Sequence, residues 1–142
     1  MSDGLKGKVA FITGAGQGVG QGIAFSLAKR GVKVVVVGRT LSKCERTVAI
    51  IKERFNEESL ALHCDITELE TLQGAIDKAV THFGRLDILV NNAVSATIKP
   101  LLEIKPEEVN QSMISGPTAT LMLMQAAYPQ LKQHQGCIVN LA

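Results

Sequence analysis

The sequence predicts an α/β fold built on a doubly wound parallel sheet, and three observations carry that expectation. Short apolar runs, Val9-Ala10-Phe11-Ile12, Val34-Val35-Val36-Val37, Leu60-Ala61-Leu62, Ile88-Leu89-Val90 and Ile138-Val139, alternate with segments of helical periodicity. The second run is unbroken and β-branched, as expected of a central parallel strand covered on both faces. A glycine-rich stretch, Thr13-Gly14-Ala15-Gly16-Gln17-Gly18-Val19-Gly20, separates the first run from the first helical segment. Right-handed crossovers between such strands lead to the expected strand order 3-2-1-4-5.

The elements follow in order. Lys8 to Thr13 reads as the first strand and Gly18 to Arg30 as the first helix, with Ile23, Leu27 and Ala28 as a partial apolar face and Gly31 as its stop. Lys33 to Gly38 is the second strand. Ser42-x-x-Glu45 has the form of a capping box, opening a helix that turns Val48, Ile51 and Phe55 inward and ends near Asn56. Leu60 to Cys64 is the third strand. A second capping box, Thr67-x-x-Glu70, precedes a helix carrying Leu69, Leu72, Ile76, Ala79, Val80 and Phe83 to Gly84. Ile88-Leu89-Val90 is the fourth strand, closed by Asn91-Asn92.

Residues 93–105 read as a loop with a short turn at Leu101 to Glu103. A long helix is expected from Pro106 toward His134, since proline suits a first helical turn and Glu107 and Glu108 suit its dipole. Gly116-Pro117 should kink it. Leu121 to Tyr128 is apolar almost all round, which predicts burial on more than one side. Gly136 to Leu141 is the fifth strand, and the sheet is expected to be truncated after it.

Composition agrees with one domain over 1–142, long enough to bury roughly two thirds of the surface its unfolded chain exposes. Hydrophobic residues make up 46% and charged residues 20%. Fifteen basic and thirteen acidic residues are dispersed without a basic run, so neither nucleic acid nor an anionic membrane is an expected partner. Met1 to Lys6 lacks the regions of a signal peptide, and Val34 to Val37 is only strand-length, which predicts a cytoplasmic protein without a membrane segment. Cys44, Cys64 and Cys137 form no C-x-x-C pair and read as reduced thiols. His63, His82 and His134 show no ligand spacing, so no metal is expected.

A glycine-rich turn between a strand and a helix suits a phosphate. The free N–H groups of the first helical turn and the positive end of its dipole face an anion, and glycine lets the backbone come close. No frame here satisfies G-x-G-x-x-G, because the residues three beyond Gly16, Gly18 and Gly20 are Val19, Gln21 and Ile23. The operative spacing is Gly14-x-x-x-Gly18-x-Gly20. Close strand–helix packing is the alternative use of these glycines.

Gly38-Arg39-Thr40 ends the second strand without an acid to bind a ribose 2′-hydroxyl, and its guanidinium suits a 2′-phosphate. NADP is therefore expected over NAD, the alternative being a surface arginine with no second basic residue in the glycine turn to join it. Asp65 could accept from an adenine amino group, with the Ile66 backbone beside it, or could simply start a turn. Asn92 could brace the backbone, meet the cofactor, or both. Tyr128 stands four residues before Lys132 but is placed by the pattern toward the far end of its helix, and is not expected to be catalytic.

With these residues in hand, the chain resembles a short-chain dehydrogenase/reductase of the 3-oxoacyl-acyl-carrier-protein reductase-like branch. The matching segments are Lys8 to Gly14 with the 14/18/20 glycines, Cys64-Asp65-Ile66, Leu86 to Ala93, and Gly136 to Asn140. The resemblance implies a Rossmann-type sheet and hydride transfer between NADPH and a small carbonyl or alcohol. It implies that Gly14, Gln17, Gly18, Val19 and Gly20 line the pyrophosphate, Arg39 the 2′-phosphate, Asp65 and Ile66 the adenine, and Asn92 and Ala93 the nicotinamide-side ribose. It also implies a homo-oligomer, dimer or tetramer.

Three departures accompany it. Val94 stands where the family's Asn-Asn-Ala-Gly has its glycine. Gly116 aligns with an asparagine of the fourth long helix, and Pro117 follows. The family's serine and Tyr-x-x-x-Lys would fall beyond Ala142, so no catalytic residue is expected within 1–142. The expectation is the cofactor-binding half of a longer NADP-dependent reductase, inactive by itself. The competing expectation is a non-catalytic nucleotide-binding protein or scaffold.

Overall fold

The computed structural model describes residues 4–142; Met1 to Asp3, on which the reading of the N-terminus partly rests, lie outside the described residues. Five strands, β1 (Val9–Thr13), β2 (Lys33–Gly38), β3 (Ser59–His63), β4 (Ile88–Asn91) and β5 (Cys137–Asn140), form one sheet of order β3-β2-β1-β4-β5. Every pairing is parallel. This is the expected doubly wound order, with its reversal between β1 and β4.

Alternation along the strands divides the core in two. Ala10, Ile12, Val34 and Val36 meet α1 (Gly18–Ala28) and α2 (Leu41–Phe55) on one face. Val9, Phe11, Val35 and Leu89 meet α3 (Leu72–Phe83) and α5 (Ala119–Gln133) on the other. The innermost face of α1 is Gly20, Ala24 and Ala28, not Ile23 and Leu27, which flank it. Small residues four apart let the helix lie close to the sheet.

Neither expected capping box forms. The residue before α2 is Thr40, with no side-chain cap, so Ser42 lies inside the helix. Thr67 donates its hydroxyl to Asp65 Oδ1 at 2.7 Å, a 3₁₀ turn follows at Leu69–Thr71, and α3 begins only at Leu72. A turn closed by Asp65 wins because its carboxylate also accepts the Thr67 N–H at 2.9 Å.

The loop after β4 contains the expected short turn at Leu101–Glu103, and α4 runs Pro106–Met113. The kink at Gly116-Pro117 is a π turn, Ile114–Thr118, where the Ala119 N–H reaches back five residues to the Ile114 carbonyl. α5 buries one stripe, Ala119, Leu123, Ala127 and Leu131, while Leu121 and Tyr128 are more than half exposed. The expectation of burial on several sides is corrected to burial on one, because among the described residues the helix packs mainly against α3, β4, β5 and the π turn before it. β5 is the exposed edge, with Ile138, Val139 and Leu141 open. No helix among the described residues is long and apolar enough to cross a membrane.

Candidate functional site

The carboxyl ends of the central strands open into a cleft of about 350 Å³. Its floor is the glycine turn, where each glycine meets a different demand. Gly18 has φ +59° with open space around it, so it is needed for backbone conformation. Gly14 has φ +66°, and a Cβ there would come 2.8 Å from Asn92 Nδ2. A Cβ on Gly20 would run into the Gly14 carbonyl oxygen and come 2.5 Å from the same amide nitrogen. α1 starts at Gly18 with no side-chain cap and no acid in its first turn, leaving its early N–H groups and dipole facing the cleft.

β4 locks this turn in place through Asn92 and Thr13. Asn92 Nδ2 donates to the Thr13 carbonyl at 3.0 Å and the Gly14 carbonyl at 3.3 Å. Thr13, only 2% exposed, accepts at Oγ1 from the backbone N–H of Asn92 (3.0 Å) and Ala93 (2.9 Å). Asn92 is therefore a backbone brace whose side chain also lines the cleft. Thr13 is a junction that local spacing does not reveal, since its partners lie about eighty positions away.

Arg39 and Thr40, at the end of β2, form the opposite wall with Lys43 and Cys44 from α2. Asp65, Ile66 and Thr67 continue it beyond β3. Burial pushes the Asp65 carboxyl up, but the two bonds from Thr67 and the charges of Arg39 and His63 outweigh it and hold the group below its ordinary value. Its second oxygen has no hydrogen-bond partner among the described residues. Burial pushes the thiols of Cys44 and Cys64 up, consistent with packing residues.

Of the residues singled out from sequence, Gly14, Gln17, Gly18, Arg39, Thr40, Asp65, Ile66, Asn92, Ala93 and Val94 line this one cleft. Val19 does not; its side chain is 66% exposed. Gly20 is buried beneath the turn, against Gly14. Gly16, Lys43, Thr67 and Ser95 are lining residues that the pattern did not mark. Tyr128 lies away from the cleft, its ring 6.0 Å from Lys132 Nζ. Among the described residues no three His, Cys, Asp or Glu side chains converge as metal ligands.

The sequence model of short chain dehydrogenases matches residues 8–142, which takes in every strand and the whole cleft. The chain belongs to the short-chain dehydrogenase family. Among curated members it is 36% identical over 128 residues to a hydroxynaphthalene reductase-like protein, Arp2, of Metarhizium robertsii, covering 90% of this chain and 48% of that protein. Among solved structures, an L-sorbose reductase from Gluconobacter frateurii complexed with NADPH and L-sorbose superimposes with a TM-score of 0.92 at 29% identity, over 99% of this chain and 54% of that one. A 7α-hydroxysteroid dehydrogenase complexed with NADH and 7-oxo glycochenodeoxycholic acid gives 0.92 at 31%, over 97% and 54%. The chain spans about half the length of the curated relatives it matches.

Val94 and Gly116, both singled out from the sequence, lie near each other. A Cβ built on Gly116 would lie 3.9 Å from Val94 Cγ2, so the valine side chain stands over the helix position without a side chain. Ser115, in the same π turn and 1% exposed, donates to the Ser95 carbonyl at 2.7 Å and accepts its N–H at 3.2 Å. The loop wall at Val94-Ser95 is thereby fixed to the kinked helix.

Proposed function

We propose that residues 1–142 form the cofactor-binding half of an NADP-preferring short-chain dehydrogenase/reductase. The observation that carries the cofactor preference is the β2 end. Arg39 faces the cleft with no acid beside it in Gly38-Arg39-Thr40, and it makes no ion pair among the described residues. A guanidinium there suits a 2′-phosphate and offers nothing to a 2′-hydroxyl that an NAD-selective acid would provide.

The fit extends along the cleft. The uncapped start of α1 and the positive-φ Gly18 suit the pyrophosphate, the free Asp65 oxygen and Ile66 suit the adenine, and Asn92 to Val94 suit the nicotinamide end. A bound nicotinamide would supply the hydride exchanged with a carbonyl or alcohol carbon. This half of the chain orients that cofactor and keeps its phosphates ordered; we assign proton delivery to the remainder of the parent protein, and we expect residues 1–142 alone to be inactive. The parent is read as a cytoplasmic homo-oligomer acting on a small carbonyl or alcohol. Apolar side chains left open on α4 and α5, among them Met113, Leu121 and Tyr128, favour self-association.

Titration of the purified protein with NADPH and NADH tests the preference. NADPH should bind more tightly, and Arg39→Ala should weaken NADPH alone by roughly 10–100-fold, the value of a charge-assisted contact. Equal affinities for both cofactors before and after the substitution would defeat the assignment. Val94 standing over Gly116 favours a second reading, a nucleotide-binding protein without turnover. Tight NADPH binding by the parent without oxidation of NADPH across a panel of ketones would select it.

A further inference from the structure

The first turn of α2 is drawn into the cleft by two glycines that lie outside the 14/18/20 spacing. A Cβ on Gly16 would come 3.0 Å from Lys43 Cβ and 3.3 Å from the Cys44 backbone nitrogen, and a Cβ on Gly38 would come 3.0 Å from Cys44 Sγ. These contacts are tighter than nearly all real Cβ contacts, so a side chain at either position would push α2 back by a few tenths of an ångström. From that seat Lys43 Nζ donates to Gln17 Oε1 at 2.6 Å. Lys43, Gln17 and Arg39 all line the cleft.

Among the described residues neither Lys43 nor Arg39 makes an ion pair. The glycine turn carries no cation of its own, and Lys43 brings one to it from the neighbouring helix. Its present partner is a neutral amide oxygen. An anionic oxygen in the same place would make a charge-assisted bond, roughly twice as strong. The first turn of α2 also has no acid and no side-chain cap, so its dipole adds positive potential beside the ammonium.

We propose that Lys43 is a specificity-determining residue for 2′-phosphorylated dinucleotides, held ready by Gln17 and exchanging that amide for an oxygen of the 2′-phosphate when the cofactor binds. The inference rests on the NADP reading above and adds to it a second cation supplied from α2. Gln17 is then a positioning residue, and Gly16 and Gly38 are what admit the helix.

The test compares dissociation constants for NADPH and NADH in the purified protein, wild type, Lys43→Gln and Lys43→Arg. The exposed Lys43→Gln variant should keep the wild-type thermal midpoint, weaken NADPH about tenfold and leave NADH within about twofold, while Lys43→Arg restores NADPH binding. If wild type prefers NADPH and Lys43→Gln keeps the full preference, the Lys43 assignment is wrong and the NADP reading stands. Equal weakening of both cofactors would move the ammonium to the pyrophosphate and overturn the proposal. A wild type without preference for NADPH removes the NADP reading and this inference together.

Discussion

Replacing Thr13 by valine isolates the junction that holds the glycine turn to β4. Valine keeps the branched shape in a site 2% exposed and removes the oxygen that, among the described residues, the backbone N–H groups of Asn92 and Ala93 reach, at 3.0 and 2.9 Å. The Thr13 hydroxyl's own bond to the Val90 carbonyl, at 3.4 Å, is long and contributes little. A buried donor left unpaired costs about 1–3 kcal/mol. Both residues are half-buried and water reaches part of the gap; the two together should cost about 2–4 kcal/mol. In urea, that lowers the unfolding midpoint by about 1–2 M for a slope near 2 kcal/mol/M. Thr13→Ser is the control, because it keeps the oxygen and loses one methyl, worth about 0.5–1.5 kcal/mol. Cofactor affinity should fall in Thr13→Val and not in Thr13→Ser, since the loop that follows Asn92 is loosened only in the former. Should serine cost as much as valine, the methyl rather than the hydroxyl would be the important group, and the reasoning fails.

Two further predictions concern the glycine turn and the pair that half-exposed Arg85 makes with buried Asp87. Gly18→Ala adds a Cβ into open space and suffers only the strain of φ +59°, roughly 1 kcal/mol, whereas Gly20→Ala drives a Cβ into the Gly14 carbonyl and should cost about 3 kcal/mol with loss of cofactor binding; urea melts of the two decide it, and equal losses would contradict the assignment. Asp87 is fully buried and accepts from Arg85 Nε (2.8 Å), Arg85 Nη2 (2.7 Å) and the Val9 N–H (2.9 Å). Burial pushes its carboxyl up, but these three bonds and the Arg85 charge more than offset that, and the folded value lies below the ordinary one. Its stabilisation is therefore complete above about pH 4 and is lost as pH falls through the folded value. Arg85→Ala leaves the buried carboxylate with one donor and should cost about 3 kcal/mol at pH 7. Without the guanidinium, burial raises the carboxyl, so the deficit should shrink as pH falls from 7 toward 4. Thermal midpoints at pH 7 and 4.5 read this directly, and a deficit independent of pH would refute the linkage.

The strand order was legible because it rests on local quantities. Each strand announces itself by an apolar run, each crossover by helical spacing, and chirality leaves few ways to join them. The kink at Gly116-Pro117 was legible for a similar reason, since a proline lacks the N–H that a continuous helix uses; that the helix resolves it as a π turn was not. The capping boxes misled because Ser42 and Thr67 have the right neighbours in sequence, while the chain enters α2 two residues earlier, at Thr40, and Asp65 competes successfully for Thr67.

Thus the sequence alone determined which segments are strands and helices, their order in the sheet, and which end of the sheet bears the glycine turn and Arg39. Tertiary structure decided what each residue there does. Gly20 faces a carbonyl instead of the cleft, Thr13 receives two amides from about eighty positions away, and Lys43 arrives at Gln17 from another helix. The physical reason is one of range. Backbone periodicity is written in neighbours a few positions apart, but hydrogen bonds and close approaches are made between surfaces that meet only after the sheet has formed.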